Sequence, residues 1–284
     1  MAIPIIFFHS GNSKYLKYSL KQARTFNPDS PVYLLGDKSN NRYPFITHVL
    51  ADKYEPAVKA FSKIYKHRSS NGEVYELNCF LRWFYIEAFC RENNIEAFIY
   101  LDSDVLLFQN VTEMVPVFKN AAIANTCADM GMPAFTYFKN NTALSNFCNY
   151  LIRAYTEEKA IKELDKYYEP FANSSEMMGG VCDMTLFHFY FRDHPHDTLK
   201  IDLINNELGV DVSINSSDGY EMENGIKKIY WQNNLPYCKR ISDGKLIKFA
   251  TLHYQGDAKK LMARHFKGKG YIITRAWDLW KQKQ

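Results

Sequence analysis

An apolar run that ends abruptly in two acidic residues is the feature that most constrains this chain. Residues 96–108 read E-A-F-I-Y-L-D-S-D-V-L-L-F, so apolar residues resume after the second acid. In an extended chain, residues two apart project to the same face, and Asp102 and Asp104 can therefore reach one cation. Ligands of open α/β sheets bind beyond the carboxyl ends of the strands, which is where this pair would lie.

The acidic pair has two interpretations. A divalent cation held by carboxylates and substrate phosphates is the usual arrangement for Mg²⁺ or Mn²⁺ in phosphate-ester chemistry. Alternatively, the segment is a solvated strand-to-turn junction, where Asp and Ser are common because they hydrogen-bond locally. Both interpretations stay open on this segment alone.

Composition narrows the class of protein. The 284 residues are 46% hydrophobic, enough for one large core or two modest ones. A formal net charge of +4 argues against the strongly basic surface of a nucleic-acid binder. The six cysteines are scattered without C-x-x-C spacing, which is typical of reduced thiols in an intracellular protein. With no signal-peptide pattern and no bilayer-length apolar stretch, we expect a cytoplasmic protein.

Strand and helix patterns alternate in the first half. Apolar runs at residues 3–8, 32–37 and 45–50 predict strands, and a helical stripe at 16–23 should end before Asn27-Pro28. A second stripe, from Leu77 to Ala88, leads into the strand before Asp102. This alternation predicts an α/β fold in which a mostly parallel central sheet is flanked by helices.

The second half is more mixed. Residues 121–127 and 134–138 predict short strands, 144–155 and 183–191 predict helices, and 208–249 predict short strands and turns. No low-complexity linker interrupts the chain, so we expect one domain. Its parts would be a nucleotide-binding half (1–110), an acceptor and catalytic half (111–256) and a basic, aromatic C-terminal segment (257–284).

A second segment whose residues could take part in catalysis or binding lies at 251–259, which read T-L-H-Y-Q-G-D-A-K. His253 offers an imidazole that is a competent Mn²⁺ ligand. Gly256 allows backbone N–H groups to approach a phosphate, and Lys259 adds a compact positive charge. The alternative is a surface turn with an ordinary histidine and a solvated lysine.

Together the two segments resemble the glycosyltransferases of the GT-A fold, and most closely the glycogenin-like and bacterial lipopolysaccharide galactosyltransferase-like group often called family eight. That group has a strand ending in D-x-D and a later H-x-x-G-x-x-K-P-W motif. Here the motifs lie about 150 residues apart in the same order, which is more specific than either alone. The chain departs from the pattern at Lys260-Leu261, where the group has Pro-Trp.

The resemblance assigns roles to individual positions. It implies that Asp102, Asp104 and His253 hold Mn²⁺ or Mg²⁺. It also implies that the donor, a nucleotide-diphosphate sugar and by default UDP-linked, is contacted by Asp102, Arg82, Gly256 and Lys259. Arg82 lies off the apolar stripe of its helix, so a plain surface arginine is the alternative there.

Three further positions are candidates near the nucleotide and one near the reaction. The first βα turn, with His9 and Asn12, should lie near the nucleotide because of its place in the sheet, and Asp37 should approach the base or ribose. Residues 178–183 resemble the group's small-residue segment between donor sugar and acceptor, which makes Asp183 the candidate catalytic residue. An N-cap of the following helix is the alternative for Asp183.

We therefore expect a metal-dependent glycosyltransferase that moves a sugar to a hydroxyl of a glycan or glycolipid, with retention of configuration favoured by the resemblance. Two alternatives remain: a haloacid-dehalogenase-like phosphatase with Asp102 as nucleophile, and a sugar- or nucleotide-binding protein without turnover. The basic and aromatic C-terminal segment could contact an anionic membrane, although an ordinary solvated terminus has the same composition.

Overall fold

Two large β-sheets form the framework of the molecule. The computed structural model describes residues 2–127, 130–174 and 176–269. The strands in chain order are β1 (Ile5–His9), β2 (Val32–Gly36), β3 (Thr47–Leu50), β4 (Phe98–Leu101), β5 (Val105–Leu107), β6 (Ile123–Cys127), β7 (Gly131–Phe138), β8 (Thr198–Lys200), β9 (Leu203–Ile204), β10 (Leu208–Val210), β11 (Met222–Glu223), β12 (Ile226–Lys227), β13 (Ile229–Gln232), β14 (Leu235–Lys239) and β15 (Leu246–His253). The α-helices are α1 (Leu16–Phe26), α2 (Glu55–Ile64), α3 (Glu73–Glu92), α4 (Val111–Phe118), α5 (Asn141–Thr156), α6 (Glu158–Ala172), α7 (Asp183–Asp193) and α8 (Met262–His265).

The first sheet confirms the predicted mostly parallel α/β architecture. Its order is β3-β2-β1-β4-β7-β6-β8, and β3, β2, β1 and β4 run parallel to one another. Only β7 is antiparallel to its neighbours β4 and β6. Because the carboxyl ends of β1, β2 and β4 share one edge, the residues after these strands lie at the same edge.

Helices cover both faces of this sheet. Alternate residues of β1 serve opposite faces, because Ile6 packs in the cluster around α3, α5 and α7, whereas Ile5 and Phe7 pack with α1 and α4. All three side chains are fully buried. Burial on both faces explains why these strands are continuous apolar runs rather than alternating ones.

The second sheet joins the two halves of the chain. Its main path is β13-β14-β15-β10-β9, and β5 pairs with β15 from outside that path. The β5–β15 pairing is antiparallel and sets His253 opposite Val105, the residue that follows Asp104. Through this pairing the C-terminal motif is brought to the D-x-D turn.

The predicted helices are present, and four α-helices, α2, α4, α6 and α8, had no prediction. The stripes at 16–23, 77–88, 144–155 and 183–191 lie in α1, α3, α5 and α7. The unpredicted α2 and α4 each carry a proline, and α6 is an exposed helix in which Leu164 is the buried residue. A mostly polar helix leaves little apolar periodicity to detect.

Two observations bear on the predictions made above about membrane spans and cysteines. No helix in the described ranges is both long enough and apolar enough to cross a bilayer. The five cysteines with described side chains carry free thiols. Residues 270–284, which include the tryptophans of the C-terminal segment, lie outside the described residues.

Candidate active site

A cleft of about 410 Å³ opens where β1, β4 and β15 end. Its wall includes His9, Arg82, Asp102, Asp183, His253 and Lys259. The cleft therefore combines side chains from both sheets and from two helices. Sequence-distant groups meet here because β5 leaves the D-x-D turn and pairs directly with β15.

One charged group forms around Asp104. The Asp104 carboxylate lies 3.5 Å from Nε2 of His253 through Oδ1 and 3.0 Å from Nζ of Lys259 through Oδ2. Although burial opposes ionisation, contacts with His253 and Lys259 lower the pKa of Asp104 to about 2. Asp104 is thus a carboxylate at neutral pH, with one positively charged partner on each oxygen.

His253 is held from behind so that one nitrogen faces Asp104. Its backbone N–H donates to Oδ2 of Asp211 at 2.9 Å, and its Nδ1 lies 2.6 Å from the carbonyl oxygen of Val212. A carbonyl can only accept, so Nδ1 carries the proton and donates. Burial by itself would lower the pKa of His253, but Asp104 reverses this and raises it to about 9.

Lys259 reaches Asp104 from a short helical turn. Gly256, with φ of +53°, begins the 3-10 helix Gly256–Leu261. That left-handed conformation favours glycine and turns the chain back toward the cleft. The Lys259 ammonium also lies 5.6 Å from the centre of the Tyr15 ring. Gly256 and Lys259 both line the cleft, as the motif predicts.

A second charged group centres on Arg82. Its Nη1 donates to Oδ1 of Asp102 at 2.6 Å and to the Tyr100 hydroxyl at 2.8 Å, and its Nε donates to Oδ2 of Asp183 at 3.1 Å. The Arg82 side chain is 11% exposed, so the surface-arginine alternative is wrong. Burial opposes its charge, but the two carboxylates keep the pKa of Arg82 well above its usual value.

Asp183 is engaged rather than free. Besides Arg82, the indole N–H of Trp83 donates to its Oδ2 at 2.9 Å. The N-cap alternative for Asp183 is wrong, because Cys182 is the N-cap of α7 and Asp183 is the first helical residue. Its carboxylate instead fixes the guanidinium of Arg82 across the cleft wall.

The first βα turn is tied down by polar contacts. His9 lines the cleft, with Nδ1 lying 2.8 Å from the hydroxyl of Ser103. Burial lowers the pKa of His9. Asp37 accepts a bond from the backbone N–H of Gly11 at 2.5 Å and so closes this turn. Asn12 is exposed, with its side-chain oxygen 3.4 Å from the Tyr43 hydroxyl. Asn12 and Asp37 are not among the residues that line the cleft.

The donor set fits a hard divalent ion. One ligand atom each from Asp102, Asp104 and His253 can be chosen so that all lie within 4.8 Å of one another. Two carboxylates and an imidazole suit Mn²⁺ or Mg²⁺, which take such ligands at about 2.1 Å and keep positions for water and phosphate. An ion here would share Asp104 with the ammonium of Lys259.

Several residues that contact the site were not singled out from the sequence. Tyr100, Trp83 and Asp211 all hold candidate site residues through hydrogen bonds. Trp83 is adjacent to Arg82, and Tyr100 lies two residues before Asp102, so proximity was a usable signal for both. Asp211 is 42 positions before His253, and no local pattern connects them.

Comparison with other proteins gives similarity at the level of solved structures. No protein-family model matches the sequence, and no curated protein matches it. The chain is similar to mouse xyloside xylosyltransferase 1 at 14% identity and a TM-score of 0.48, covering 74% of this chain and 88% of that one. It is similar to the galactosyltransferase LgtC, solved with donor and acceptor sugar analogues, at 11% identity and a TM-score of 0.44, covering 99% and 100%.

A third similar structure is the glycosyltransferase GlyE of Streptococcus pneumoniae TIGR4, with 12% identity and a TM-score of 0.45. The alignment covers 99% of this chain and 64% of GlyE. These three structures are a xylosyltransferase, a galactosyltransferase and a glycosyltransferase, and at these identities the likeness concerns the fold alone.

Proposed function

We propose that the protein is a metal-dependent glycosyltransferase that moves a sugar from a nucleotide-diphosphate donor to a hydroxyl of a glycan or glycolipid. The observation that carries the proposal is the convergence of two remote motifs on one carboxylate. Asp104 lies 3.5 Å from His253 and 3.0 Å from Lys259, in a cleft at the carboxyl ends of parallel strands. The sequence resemblance favours a UDP-linked donor.

In this proposal, Asp104 and its partners His253 and Lys259 act on the diphosphate of the donor. Asp102, Asp104 and His253 would hold Mn²⁺ or Mg²⁺, which offsets the charge that develops on the leaving diphosphate. Lys259 would add a positive charge at the same phosphates, and the backbone at Gly256 can approach them closely. Because Lys259 is anchored by Asp104 before the donor arrives, little reorganisation is needed.

In the same proposal, Arg82 and its partners Asp102 and Asp183 act on the sugar of the donor. Four of the five N–H donors of Arg82 are used by Asp102, Tyr100 and Asp183, so the one that remains, on Nη2, is fixed in direction before the donor binds. We assign Asp183 to the reacting face, where it sets the position of Arg82 and borders the transferred sugar. His9 and Asn12 would contact the nucleotide, and Asp37 would shape that turn and approach the ribose or base.

The remaining parts of the proposal concern organisation and setting. We infer one catalytic domain, with residues 1–110 binding the nucleotide and 111–256 contributing to the acceptor side. Retention of anomeric configuration follows from the resemblance. Scattered free thiols favour a cytoplasmic setting. Contact of the basic segment 257–284 with a membrane that carries a glycolipid acceptor belongs to the same proposal.

The direct test is release of UDP from a panel of UDP-sugars, measured with and without Mn²⁺. Asp104→Ala should lower the metal-dependent rate by about 100-fold or more, because it removes both a metal ligand and the anchor of Lys259. Asp257→Ala is the matched control, since that aspartate is 94% exposed on the neighbouring turn. Undiminished release by Asp104→Ala would refute the assignment.

The same assay separates the two alternatives. A binding protein without turnover would raise its melting temperature with UDP-sugar and Mn²⁺ but release no UDP. A phosphatase would release phosphate and would be trapped covalently on Asp102 by a phosphate mimic. Asp102 Oδ1 accepts bonds from both Arg82 and Tyr100, an arrangement that suits a fixed ligand better than an attacking nucleophile.

A further inference from the structure

A buried ion pair connects strand β12 with the residue that follows strand β10. The ammonium of Lys227 contacts Oδ1 of Asp211 at 2.8 Å and Oδ2 of Asp218 at 2.6 Å. The side chains of Lys227 and Asp211 are 1% and 0% exposed. Burial opposes the charge of Lys227, but the two aspartates raise its pKa above the usual value. None of these three residues lines the cleft.

Burying such charges carries a cost that needs a reason. Removing an ammonium and a carboxylate from water is expensive, and a buried pair is often no more stabilising than apolar residues of similar size. Buried ionic groups are retained in some proteins because they specify one local arrangement.

The contacts of Asp211 show which local arrangement the cluster specifies. Its Oδ2 accepts the backbone N–H of His253 at 2.9 Å, while Oδ1 is occupied by Lys227. Lys227 also donates to the carbonyl oxygen of Ser213 at 2.5 Å. Between these two anchors lies Val212, whose carbonyl oxygen accepts a hydrogen bond from the Nδ1–H of His253. The bonds that hold His253 on the side away from Asp104 thus belong to a segment that Lys227 holds.

We infer that the buried Lys227–Asp211 pair is a positioning device that points Nε2 of His253 at Asp104 and so sets the affinity of the cleft for a divalent ion. The inference rests on the proposed function for the presence of a metal ion in the cleft. Metal-binding histidines are commonly oriented through the nitrogen that does not bind the metal, and loss of such a partner typically weakens binding by about 10- to 100-fold. Here the orienting partner is a carbonyl, fixed in turn by a buried ion pair.

The test is the dissociation constant for Mn²⁺ of the full chain without nucleotide, measured by electron paramagnetic resonance. Lys227→Met should raise it by about 10- to 100-fold. A second variant, Asp211→Asn with Lys227→Met, removes both charges together and leaves no unpaired buried ion, so it guards against misfolding. It should also bind Mn²⁺ more weakly than the wild type. Unchanged affinity in a folded double variant overturns the inference.

Two controls separate positioning from general destabilisation. Leu151→Ala removes a fully buried side chain from the distant cluster around α5, and should lower the melting temperature without changing Mn²⁺ affinity. In metal-free protein, the Nδ1 proton of His253 should exchange slowly in ¹⁵N-edited NMR spectra and faster in both Lys227 variants. Equal exchange rates overturn the inference. Faster exchange in the variants of a protein that binds no Mn²⁺ supports the positioning and rejects the metal site instead.

Discussion

Two clusters of this protein each combine one basic residue with two aspartates, but their surroundings differ. In the first, Arg82 lies between Asp102 and Asp183; in the second, Lys227 lies between Asp211 and Asp218. Both contain one cation and two carboxylates, and each contacts a candidate metal ligand. The Arg82 cluster forms part of the cleft wall, whereas the Lys227 cluster lies outside it.

The difference between them follows from the geometry of the two cations. The planar guanidinium of Arg82 directs separate N–H groups at its two carboxylates, and one N–H on Nη2 remains for a ligand. The compact ammonium of Lys227 has three donors, and its contacts with Asp211, Asp218 and Ser213 use all three. We conclude that the first cluster is suited to binding substrate and the second to holding the chain.

The largest expected effect is the loss of Arg82. Arg82→Met should lower transfer by about 100- to 1,000-fold, because a preorganised donor is removed and Asp183 is left as a buried unpaired charge. Its Mn²⁺ affinity should not fall, since Asp102 loses only a competing partner. Arg192→Met, at a 45% exposed arginine, is the control and should retain transfer. A weakening of Mn²⁺ binding equal to that of Lys227→Met would remove the distinction between the clusters.

The next effect concerns stability. Lys227→Met should lower the free energy of unfolding by about 3 to 5 kcal/mol, because it leaves Asp211 buried without its counter-ion. Urea denaturation measures this. The neighbouring Lys228 forms a more exposed pair with Glu223 and provides a matched control, so Lys228→Met should leave the midpoint nearly unchanged. Similar midpoints for the two variants would show that the Lys227 pair holds nothing in place.

The third effect is a dependence of stability on pH in metal-free protein. His253 has a pKa of about 9 in the folded state against 6.5 ordinarily, so its stabilisation is complete below pH 6.5 and is lost as pH rises through 9. The loss should approach about 3 kcal/mol. His253→Gln should flatten the curve between these values, while His196→Gln, at an exposed position, should not. Parallel curves for wild type and His253→Gln would contradict the Asp104–His253 contact.

The smallest effect tests how the Arg82 cluster is braced. Tyr100 is fully buried, and its hydroxyl donates to Asp102 at 2.6 Å while accepting from Arg82. Tyr100→Phe should reduce the free energy of unfolding by about 1.5 to 3 kcal/mol, the usual range for a hydrogen bond to a charged group. Since Arg82 keeps its direct bond to Asp102, transfer should fall only a few-fold. A loss as large as that of Arg82→Met would mean that Tyr100 itself contacts the substrate.

Much of the fold was predictable because it depends on neighbours in sequence. The strand–helix alternation of the first half and the acidic pair at the end of β4 follow from local periodicity and from abrupt changes in polarity. Helices α2, α4 and α6 were missed because prolines and exposed polar residues obscure that periodicity. The roles of Arg82 and Asp183 stayed open because a helical pattern does not show which polar residue meets another.

The amino-acid pattern alone determined the strands of the first sheet other than β8, the carboxylates at its edge and the order of the two motifs, since each of these is written within a short window of residues. Only the folded chain decided that β5 pairs with β15, that Asp183 meets Arg82 across 101 positions, and that Lys227 secures the segment behind His253. Such contacts depend on which strand edges and buried charges remain unpaired after the local elements have formed. The pairing of these strand edges and charges depends on residues throughout the chain, so a short window of sequence cannot predict it.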